Sequence, residues 1–364
     1  MMRAKLMNPK YLLAITAICI SFSLLSDEFK STSSEFHFAE AQTPANSQWN
    51  VLTKIDPNLL SFLVKAVVID NQNGAIGRNR QGFMSVGFQR YSSRFIAYGI
   101  LTKNVAMVDI GIKSIGYPLS FQQNDGSFND FSPKSKGKSS PSSVAFYLND
   151  VGHSLVLCQK SRWFQESKET EYLRVKVGQM QPQISNSLTW LMAQESELIK
   201  GDGNGRATNR LWKDANAFYL TGRALDRKDA VRLGEKFAML SLQQQNTTGA
   251  FLEKNGFDSS YQGVSLQEAT LYYTNLSSQS SQRVIVWDTI NRAVKLELGY
   301  ILPSGEISTK GNTRVFVGGE TYFDKEKSVD YLALVQGLSY YHQLTQDPTI
   351  KNALDRVFTF YSKK

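Results

Sequence analysis

Cysteine and histidine are scarce in this sequence. The two cysteines are Cys19, inside an apolar N-terminal segment, and Cys158, on an apolar helical pattern, so they do not form a disulfide framework. The three histidines are His37, near the N-terminus, His153 and His342. This supply excludes a histidine- or thiol-rich metal site, and no cofactor is predicted.

Long hydrophobic runs are also missing. The most apolar stretch, residues 11–25 (YLLAITAICISFSLL), is shorter than the roughly 20 residues that a membrane-spanning helix needs. Three basic residues, Arg3, Lys5 and Lys10, precede it. A basic segment followed by a short apolar run is typical of a secretory signal peptide.

The organisation predicted from this leader has three parts. Residues 1–41 form a signal peptide, residues 42–54 a linker and residues 55–364 one folded domain. Cleavage is expected after Ala39-Glu40-Ala41 or nearer to Ser26, and retention of the leader as a membrane anchor is the alternative. The protein is therefore expected to be secreted or periplasmic, with no stable membrane span after cleavage.

Acidic residues are too few to balance the basic ones, and the formal net charge is +9. The leader contains as many acidic as basic residues, so the mature chain keeps this charge. A basic exported protein favours an anionic partner, namely an acidic polysaccharide or a cell-envelope glycan. Nucleic acid is not expected, because an exported protein rarely meets it.

Alternating strand patterns are scarce, and residues 313–319 (TRVFVGG) are one short example. Apolar residues instead recur at steps of three and four, which predicts an all-α fold. The predicted helices cover 57–70, 93–113, 142–158, 188–199, 215–225, 229–245, 281–301, 328–344 and 348–361, and another begins near residue 259.

Glycine-containing turns recur between these helices, at Gly126, Gly203, Gly249 and Gly305. Each turn follows an apolar helix and precedes a polar stretch and a capped helix. Helical hairpins that cannot bury their faces alone must stack side by side, and the stack either spirals or closes.

The segments QQNDGSF and TTGAFLEKNGFDSSYQ, with this hairpin spacing, resemble the (α/α) toroid or six-hairpin glycosidase-like proteins, which include polysaccharide lyases and glycoside hydrolases. The resemblance covers residues 55–360 as a pattern. It implies an (α/α) toroid with short extended segments at the mouth of a cavity. A superhelical solenoid is the alternative. The catalytic motifs of individual toroid families are absent, so no catalytic residue is transferred.

The start of the helix near residue 259 is the candidate catalytic region. Ser259-x-x-Gln262 and Ser265-x-x-Glu268 both fit a capping box, so this junction could be simply a capped helix start. The functional interpretation is that helix N-termini converge on a cavity and attract an anionic ligand.

In that interpretation, Tyr261 beside Lys or Arg loses its proton easily and acts as the base of a lyase. Asp258 and Glu253 would instead supply the carboxyl groups of a hydrolase.

Other polar and aromatic residues near the glycine turns are candidates for substrate binding. Arginine can hold a carboxylate with two hydrogen bonds, and tryptophan can stack on a sugar ring, although Trp212 fits a packed core equally well. The predicted set is Asn129, Asp130, Arg210, Trp212, Asp214, Asn216, Gln262, Arg314, Glu320 and Tyr322.

The sequence therefore predicts an exported carbohydrate-active protein that acts on or binds an acidic polysaccharide. A polysaccharide lyase is favoured slightly, because the charge suits an anionic polymer and no carboxylate pair stands out. The alternatives are a glycoside hydrolase and a non-catalytic envelope protein that binds polysaccharide during its synthesis or export.

Overall fold

Helices make up most of the computed structural model, which describes residues 48–132, 135, 137–201, 207–254 and 256–363. The leader, Cys19, His37 and Gly203 lie outside these residues. The helices are α1 Gln48–Leu52, α2 Pro57–Lys65, α3 Ser92–Thr102, α4 Val105–Leu119, α5 Pro141–Lys160, α6 Arg162–Glu166, α7 Glu171–Ala193, α8 Glu195–Lys200, α9 Thr208–Ala224, α10 Lys228–Leu242, α11 Ser259–Asn275, α12 Arg283–Leu298, α13 Tyr331–Thr345 and α14 Pro348–Tyr361. Two small antiparallel pairs are β1 Asn129–Asp130 with β2 Gly137–Lys138, and β3 Thr321–Tyr322 with β4 Lys325–Glu326.

The longer helices form two layers. The inner helices α3, α5, α9, α11 and α13 contact one another in chain order, and each packs against its own outer helix, respectively α4, α7, α10, α12 and α14. Helix α1 contacts α11 and α13, while α2 contacts α3. The rings of Phe62 in α2 and Phe358 in α14 lie 5.0 Å apart. Helices α1 and α2 thus fill the remaining position, and the ring closes. The fold is an all-α (α/α) toroid, as predicted, and not a solenoid.

Four equivalent turns link the hairpins, and each contains a short β-bridge: Ile69 with Ile76, Gln122 with Phe128, Gln245 with Phe251, and Ile301 with Ile307. Glycine is required in them. Gly249 has a φ of 93°, and a Cβ there would lie 2.4 Å from the carbonyl oxygen of Arg292 in α12. Gly126 and Gly305 are placed in the same way. These three predicted turn glycines are confirmed, and Gly74 is a fourth that the sequence reading missed.

The segment predicted as one helix over 93–113 is in fact the hairpin of α3 and α4. Lys103 adopts a left-handed conformation with a φ of 53°, which ends α3. The side chain of Asn104 then accepts from the backbone N–H of Met107 at 3.1 Å and starts α4. Apolar periodicity continues through both helices because both face the core, so the pattern alone hides the turn.

Three other segments differ from expectation. Helix α7 begins at Glu171, well before the predicted start at 188. The sequence pattern missed its N-terminal half because that half is mostly polar. Residues 313–319 form a loop, and the strands come after it. Helix α1 lies within the predicted linker, where Val51 and Leu52 are buried, so packed structure starts before residue 55. Among the described helices, none is long and apolar enough to cross a membrane.

Candidate functional site

A polar basin of about 720 Å³ opens where the inner helices begin. Residues at or near the N-termini of all five inner helices line it: Ser93, Ser142, Asn209, Ser260 and Asp330. The ring thus brings together segments that are far apart in the sequence, as the repeat pattern predicted.

At least one N-terminal amide of each inner helix already has a side-chain partner within the chain. Asp258 accepts from the N–H groups of Ser260 and Tyr261 at the start of α11. Glu253 accepts from the N–H of Asn209 at the start of α9. In the same way, side-chain oxygens of Asp150, Ser140 and Asp330 accept from backbone N–H groups at the starts of α3, α5 and α13, respectively. The expectation that free helix N-termini attract an anion is therefore wrong for these amides, because side-chain oxygens occupy them.

Cationic side chains provide the positive character of the basin instead. Among the described residues, seven basic and four acidic side chains line it. The basic ones are Arg90, Arg94, Arg210, Lys213, Arg314, Lys325 and Lys327, and the acidic ones are Asp150, Glu268, Glu326 and Asp330. This excess of positive charge favours an anionic ligand.

Asp150 is a nearly buried carboxylate on α5. One of its oxygens accepts from the backbone N–H of Ser92 at 2.7 Å and also from the Ser92 hydroxyl. The other accepts from the hydroxyl of Ser93. Asp150 thereby joins α5 to the start of α3 while remaining on the basin wall.

Glu268 is a second buried carboxylate, on α11. It forms an ion pair with Lys213 and accepts from the Nδ2 atoms of Asn149 at 2.9 Å and Asn216 at 3.0 Å. Asn149 precedes Asp150 in α5, so the two carboxylates belong to one connected polar cluster. We call Asp150 and Glu268 the carboxylate pair.

His153 lies one turn after Asn149 on the same helix and is also buried. Burial lowers its pKa to about 4, although the charges of Asp150 and Glu268 act in the opposite direction. The imidazole is therefore neutral at pH 7. Its Nε2 atom has no hydrogen-bond partner among the described residues.

Residues 313–330, which carry β3 and β4, form what we call the strap. Its root is the N-terminal end of this segment, which Arg314 fixes in place. The guanidinium of Arg314 binds Glu253 at 2.8 Å and Glu320 at 3.0 Å. The same guanidinium lies over the ring of Tyr261, 3.9 Å from its centroid. Asp258 accepts from the backbone N–H groups of Arg314 and Val315, which ties the strap to the start of α11.

The tip of the strap contacts the segment that precedes α3. The guanidinium of Arg78 lies 3.7 Å from the ring centroid of Phe323. The ring of Phe88 is 5.9 Å from Phe323 and 6.4 Å from Tyr322. Because its root is at α11 and its tip is beside α3, the strap crosses the basin mouth.

Of the three predicted catalytic residues, only Tyr261 lines the basin. Burial raises the pKa of its hydroxyl far above the ordinary value and outweighs the opposing effect of Arg314. The hydroxyl accepts from Lys327 Nζ at 2.8 Å and donates to Glu320 at 3.2 Å. The expectation of an easily ionised tyrosine is therefore corrected, because desolvation dominates.

Asp258 and Glu253 are fully buried and do not line the basin. Their oxygens hold the helix starts and the strap described above. Burial also raises the pKa of Glu253 to about 7, even though Arg314 and the N–H of Asn209 favour its ionised form. The structure places both residues behind the basin wall as structural acceptors, which differs from the predicted catalytic role.

The predicted substrate-binding residues divide into two groups. Arg210, Arg314 and Tyr322 line the basin, and Glu320 contacts the lining residues Arg314 and Lys327. The remaining six are not basin-lining residues: Asn129, Asp130, Trp212, Asp214, Asn216 and Gln262.

Packing explains where several of these six lie. Trp212 is buried against Phe251 and Tyr272 in the core. Asp130 accepts from the hydroxyl of Ser85, and Asn129 belongs to the β1–β2 pair. Asp214 is buried on α9.

The Nδ2 atom of Asn216 donates to a carboxyl oxygen of Glu268 at 3.0 Å. Gln262 binds the N–H of Phe251 and the carbonyl of Gly249, so it fixes a glycine turn instead of completing a capping box. Ser265 and Glu268 lie inside α11, which begins at Ser259, so they do not form a capping box either.

The sequence reading missed the carboxylate pair, Lys213 as the partner of Glu268, and Arg94. A usable signal existed for Asp150, since Asn149-Asp150 interrupts an apolar helical pattern. A buried acid on such a face needs a partner or a function. Glu268 gave no comparable signal, because the capping-box interpretation already explained it.

The closed ring of hairpins, with a polar basin at the inner-helix starts, is an (α/α) toroid. Two solved structures are similar to this chain. One is the unsaturated glucuronyl hydrolase responsible for the degradation of glycosaminoglycan from Bacillus sp. GL1, with a TM-score of 0.46 and 15% identity. The other is a UGL variant with dGlcA-Glc-Rha-Glc, with a TM-score of 0.45 and 16% identity. Each likeness covers 71% of this chain and 74% of the other.

No protein-family profile matches the chain, and no curated protein sequence matches it. The two structural likenesses are distant. The helix contacts themselves define the fold as an (α/α) toroid.

Proposed function

We propose that this protein is a carbohydrate-active hydrolase whose basin takes an anionic sugar. The observation that carries the proposal is the lining of the basin, which combines seven cationic side chains with the carboxylate pair. Cations attract the charged sugar, and paired carboxyl groups are the usual catalytic groups of glycoside hydrolysis. Asp150 and Glu268 are the residues to which we assign this chemistry.

The positions of the pair support hydrolysis over elimination. Asp150 and Glu268 come from two different inner helices. Asn149, the residue before Asp150, donates to Glu268, and both carboxylates line the basin, so a sugar in the basin can contact both. A lyase needs a base that removes the proton next to the sugar carboxylate. Tyr261 was the predicted base, but its pKa is raised, and its hydroxyl is engaged by Lys327 and Glu320. Elimination is therefore the less favoured reaction.

A non-catalytic binding protein is the second candidate, and one observation favours it. The oxygens of Asp150 bind Ser92 and Ser93, and those of Glu268 bind Lys213, Asn149 and Asn216. Carboxylates that are so fully engaged could serve only to shape the basin. The same basin would then hold an acidic glycan without cleaving it.

Incubation with a panel of uronate-containing and neutral glycans tests the proposal. We expect new reducing ends from the uronate-containing glycans, without the ultraviolet absorbance of an unsaturated product. Asp150→Asn and Glu268→Gln should each lower the rate by at least about 100-fold while the fold remains intact. Glu306→Gln, an exposed glutamate away from the basin, is the matched control.

Other results would point elsewhere. Ultraviolet-absorbing product would show a lyase, and tight binding without any product would show the binding protein. Full activity in both carboxylate variants would remove the pair from the mechanism.

We further propose that the protein is exported and meets this glycan in the cell envelope or outside the cell. The basic and apolar N-terminal segment and the net charge of +9 support this. N-terminal sequencing of the protein recovered from the envelope and the medium tests it. We expect the mature protein to have its N-terminus near residue 27 or residue 42. Recovery of the protein only from the cytoplasm, with an intact leader, would contradict the proposal.

A further inference from the structure

Arg94 stands out among the cationic side chains of the basin because it is buried and has no acidic partner among the residues that the structure describes. It is only 7% exposed. Its guanidinium forms no ion pair or hydrogen bond with any described residue, and its one contact of this kind is the ring of Tyr91, 4.3 Å from the centroid. A buried charge without a partner is strongly unfavourable, so this position indicates an anion that comes from outside the chain.

Most of the other cations in the basin differ in this respect. Lys213 pairs with Glu268, and both Arg314 and Lys327 pair with Glu320. Arg90 and Lys325 have no ion pair within the described residues, but they are more exposed, so water solvates them. Their charges therefore do not require a bound anion.

Two acids that line the basin together with Arg94 are already engaged. Asp150 lies on the neighbouring helix α5 and uses both oxygens on Ser92 and Ser93. Asp330 caps α13 by accepting from the N–H of Ala333. Neither forms an ion pair with Arg94 within 4.0 Å.

A small second cavity of about 10 Å³ lies beside Arg94 and holds no more than about one water molecule. Its far wall is apolar and includes Leu52, Leu60 and Leu63 from α1 and α2. This wall cannot supply an anion, so Arg94 can receive one only from the basin.

Four residues line both cavities: Ser93, Arg94, His153 and Gln336. We call them the seam. Nε2 of His153 is a further buried polar atom in the seam with no partner among the described residues. The seam at the floor of the basin thus contains one buried nitrogen without a partner among the described residues, Nε2 of His153, and the guanidinium of Arg94, which lines the basin without an acidic partner among them.

We infer that Arg94 binds the carboxylate of the anionic sugar and that the seam is the subsite for the charged sugar unit. This inference rests on the proposed function and adds to it the position of the charged group. A planar carboxylate matches the paired N–H groups of a guanidinium. Nε2 of His153 provides a neutral hydrogen-bonding group for the same sugar unit. The charged unit therefore lies at the floor, beside the carboxylate pair, and not under the strap.

Binding of glucuronate and glucuronamide, which differ only in the charge of one group, tests this. Wild-type protein should prefer glucuronate by about 100-fold. Arg94→Met should remove this preference, and Arg94→Lys should retain part of it, because lysine keeps the charge but not the paired geometry. Arg232→Met, an exposed arginine on α10, is the matched control and should behave like wild type. An unchanged preference in Arg94→Met overturns the inference.

The unfolding midpoint without ligand separates binding from a structural role. Arg94→Met should unfold at the same temperature as wild type or a higher one, because an unpaired buried charge has been removed. A lower midpoint together with an unchanged glucuronate preference would show that Arg94 is structural, and would overturn the inference.

Failure of the proposed function can be told apart from failure of this inference. If no glycan is bound or cleaved, the unfolding midpoint is measured with added acetate at constant ionic strength. Stabilisation by acetate that disappears in Arg94→Met supports the carboxylate subsite and rejects the sugar function. Equal stabilisation in both proteins, or none in either, rejects the subsite. If glycans are cleaved equally well by wild type and Arg94→Met, the function stands and the subsite does not.

Discussion

Replacement of Glu297 by glutamine should stabilise the protein at neutral pH. Glu297 lies on α12, and its side chain is completely buried. Neither carboxyl oxygen has a hydrogen-bond partner among the described residues. Burial, together with the charge of Asp258, raises its pKa to about 8 from the ordinary 4.5. The folded protein therefore keeps this group protonated at a pH where the unfolded chain has ionised it.

The magnitude follows from proton linkage. Below pH 4.5 both states are protonated, so the group has little effect on the free energy of unfolding. Between pH 4.5 and 8 only the folded state holds the proton, and stability falls by roughly 1.4 kcal/mol per pH unit as the pH rises. The loss at pH 7 is about 3 kcal/mol. Glutamine has nearly the same shape and carries no charge, so Glu297→Gln should recover most of that loss.

Urea unfolding of wild type and Glu297→Gln between pH 4 and pH 8 measures the effect. The variant should match wild type near pH 4 and exceed it by about 3 kcal/mol at pH 7. Glu306→Gln, at an exposed position, should show no pH-dependent gain. A difference between wild type and Glu297→Gln that stays constant over this range, or a loss of stability at pH 7, would refute the reasoning.

Two further substitutions test the framework around the basin. Gly249→Ala should destabilise the fold by several kcal/mol, because its φ is 93° and the new Cβ would lie 2.4 Å from a backbone oxygen in α12. Gly178→Ala, where a Cβ meets nothing within 4 Å inside α7, should be neutral or stabilise by up to about 1 kcal/mol; equal effects in thermal unfolding would contradict this explanation. Asp258→Ala should lower stability by about 2–4 kcal/mol, because it removes the α11 cap and the tie to the strap. It should also speed proteolysis within residues 313–330, and an unchanged cleavage rate would show that the strap is held by other contacts.

Much of the architecture was predictable from the sequence. Apolar periodicity located most of the helices, and the turns at Gly126, Gly249 and Gly305 revealed the hairpin repeat. These features are local, because a helical face or a turn that needs a positive φ is specified by neighbouring residues. Division of 93–113 into two helices could also have been read from the sequence, since Asn104 is a good N-cap residue.

The candidate site was predicted only in part. Of the predicted site residues, Tyr261, Arg210, Arg314 and Tyr322 line the basin, and the roles assigned to them stay predictions. Asp258 resembled a functional acid in the sequence, but the structure uses it as a cap. A carboxylate before a helix has the same sequence pattern in both roles, and only the groups that surround it distinguish them.

The sequence by itself determined the helical content, the hairpin repeat and the excess of positive charge. Tertiary structure decided which charges are partnered. Glu268 meets Lys213 from a different helix, whereas Arg94 meets no acid within the part of the chain that the structure describes, and no pattern along the chain indicates either outcome. The physical reason is that burial and ion pairing depend on contacts between residues separated by 50 positions or more, and closure of the ring creates those contacts.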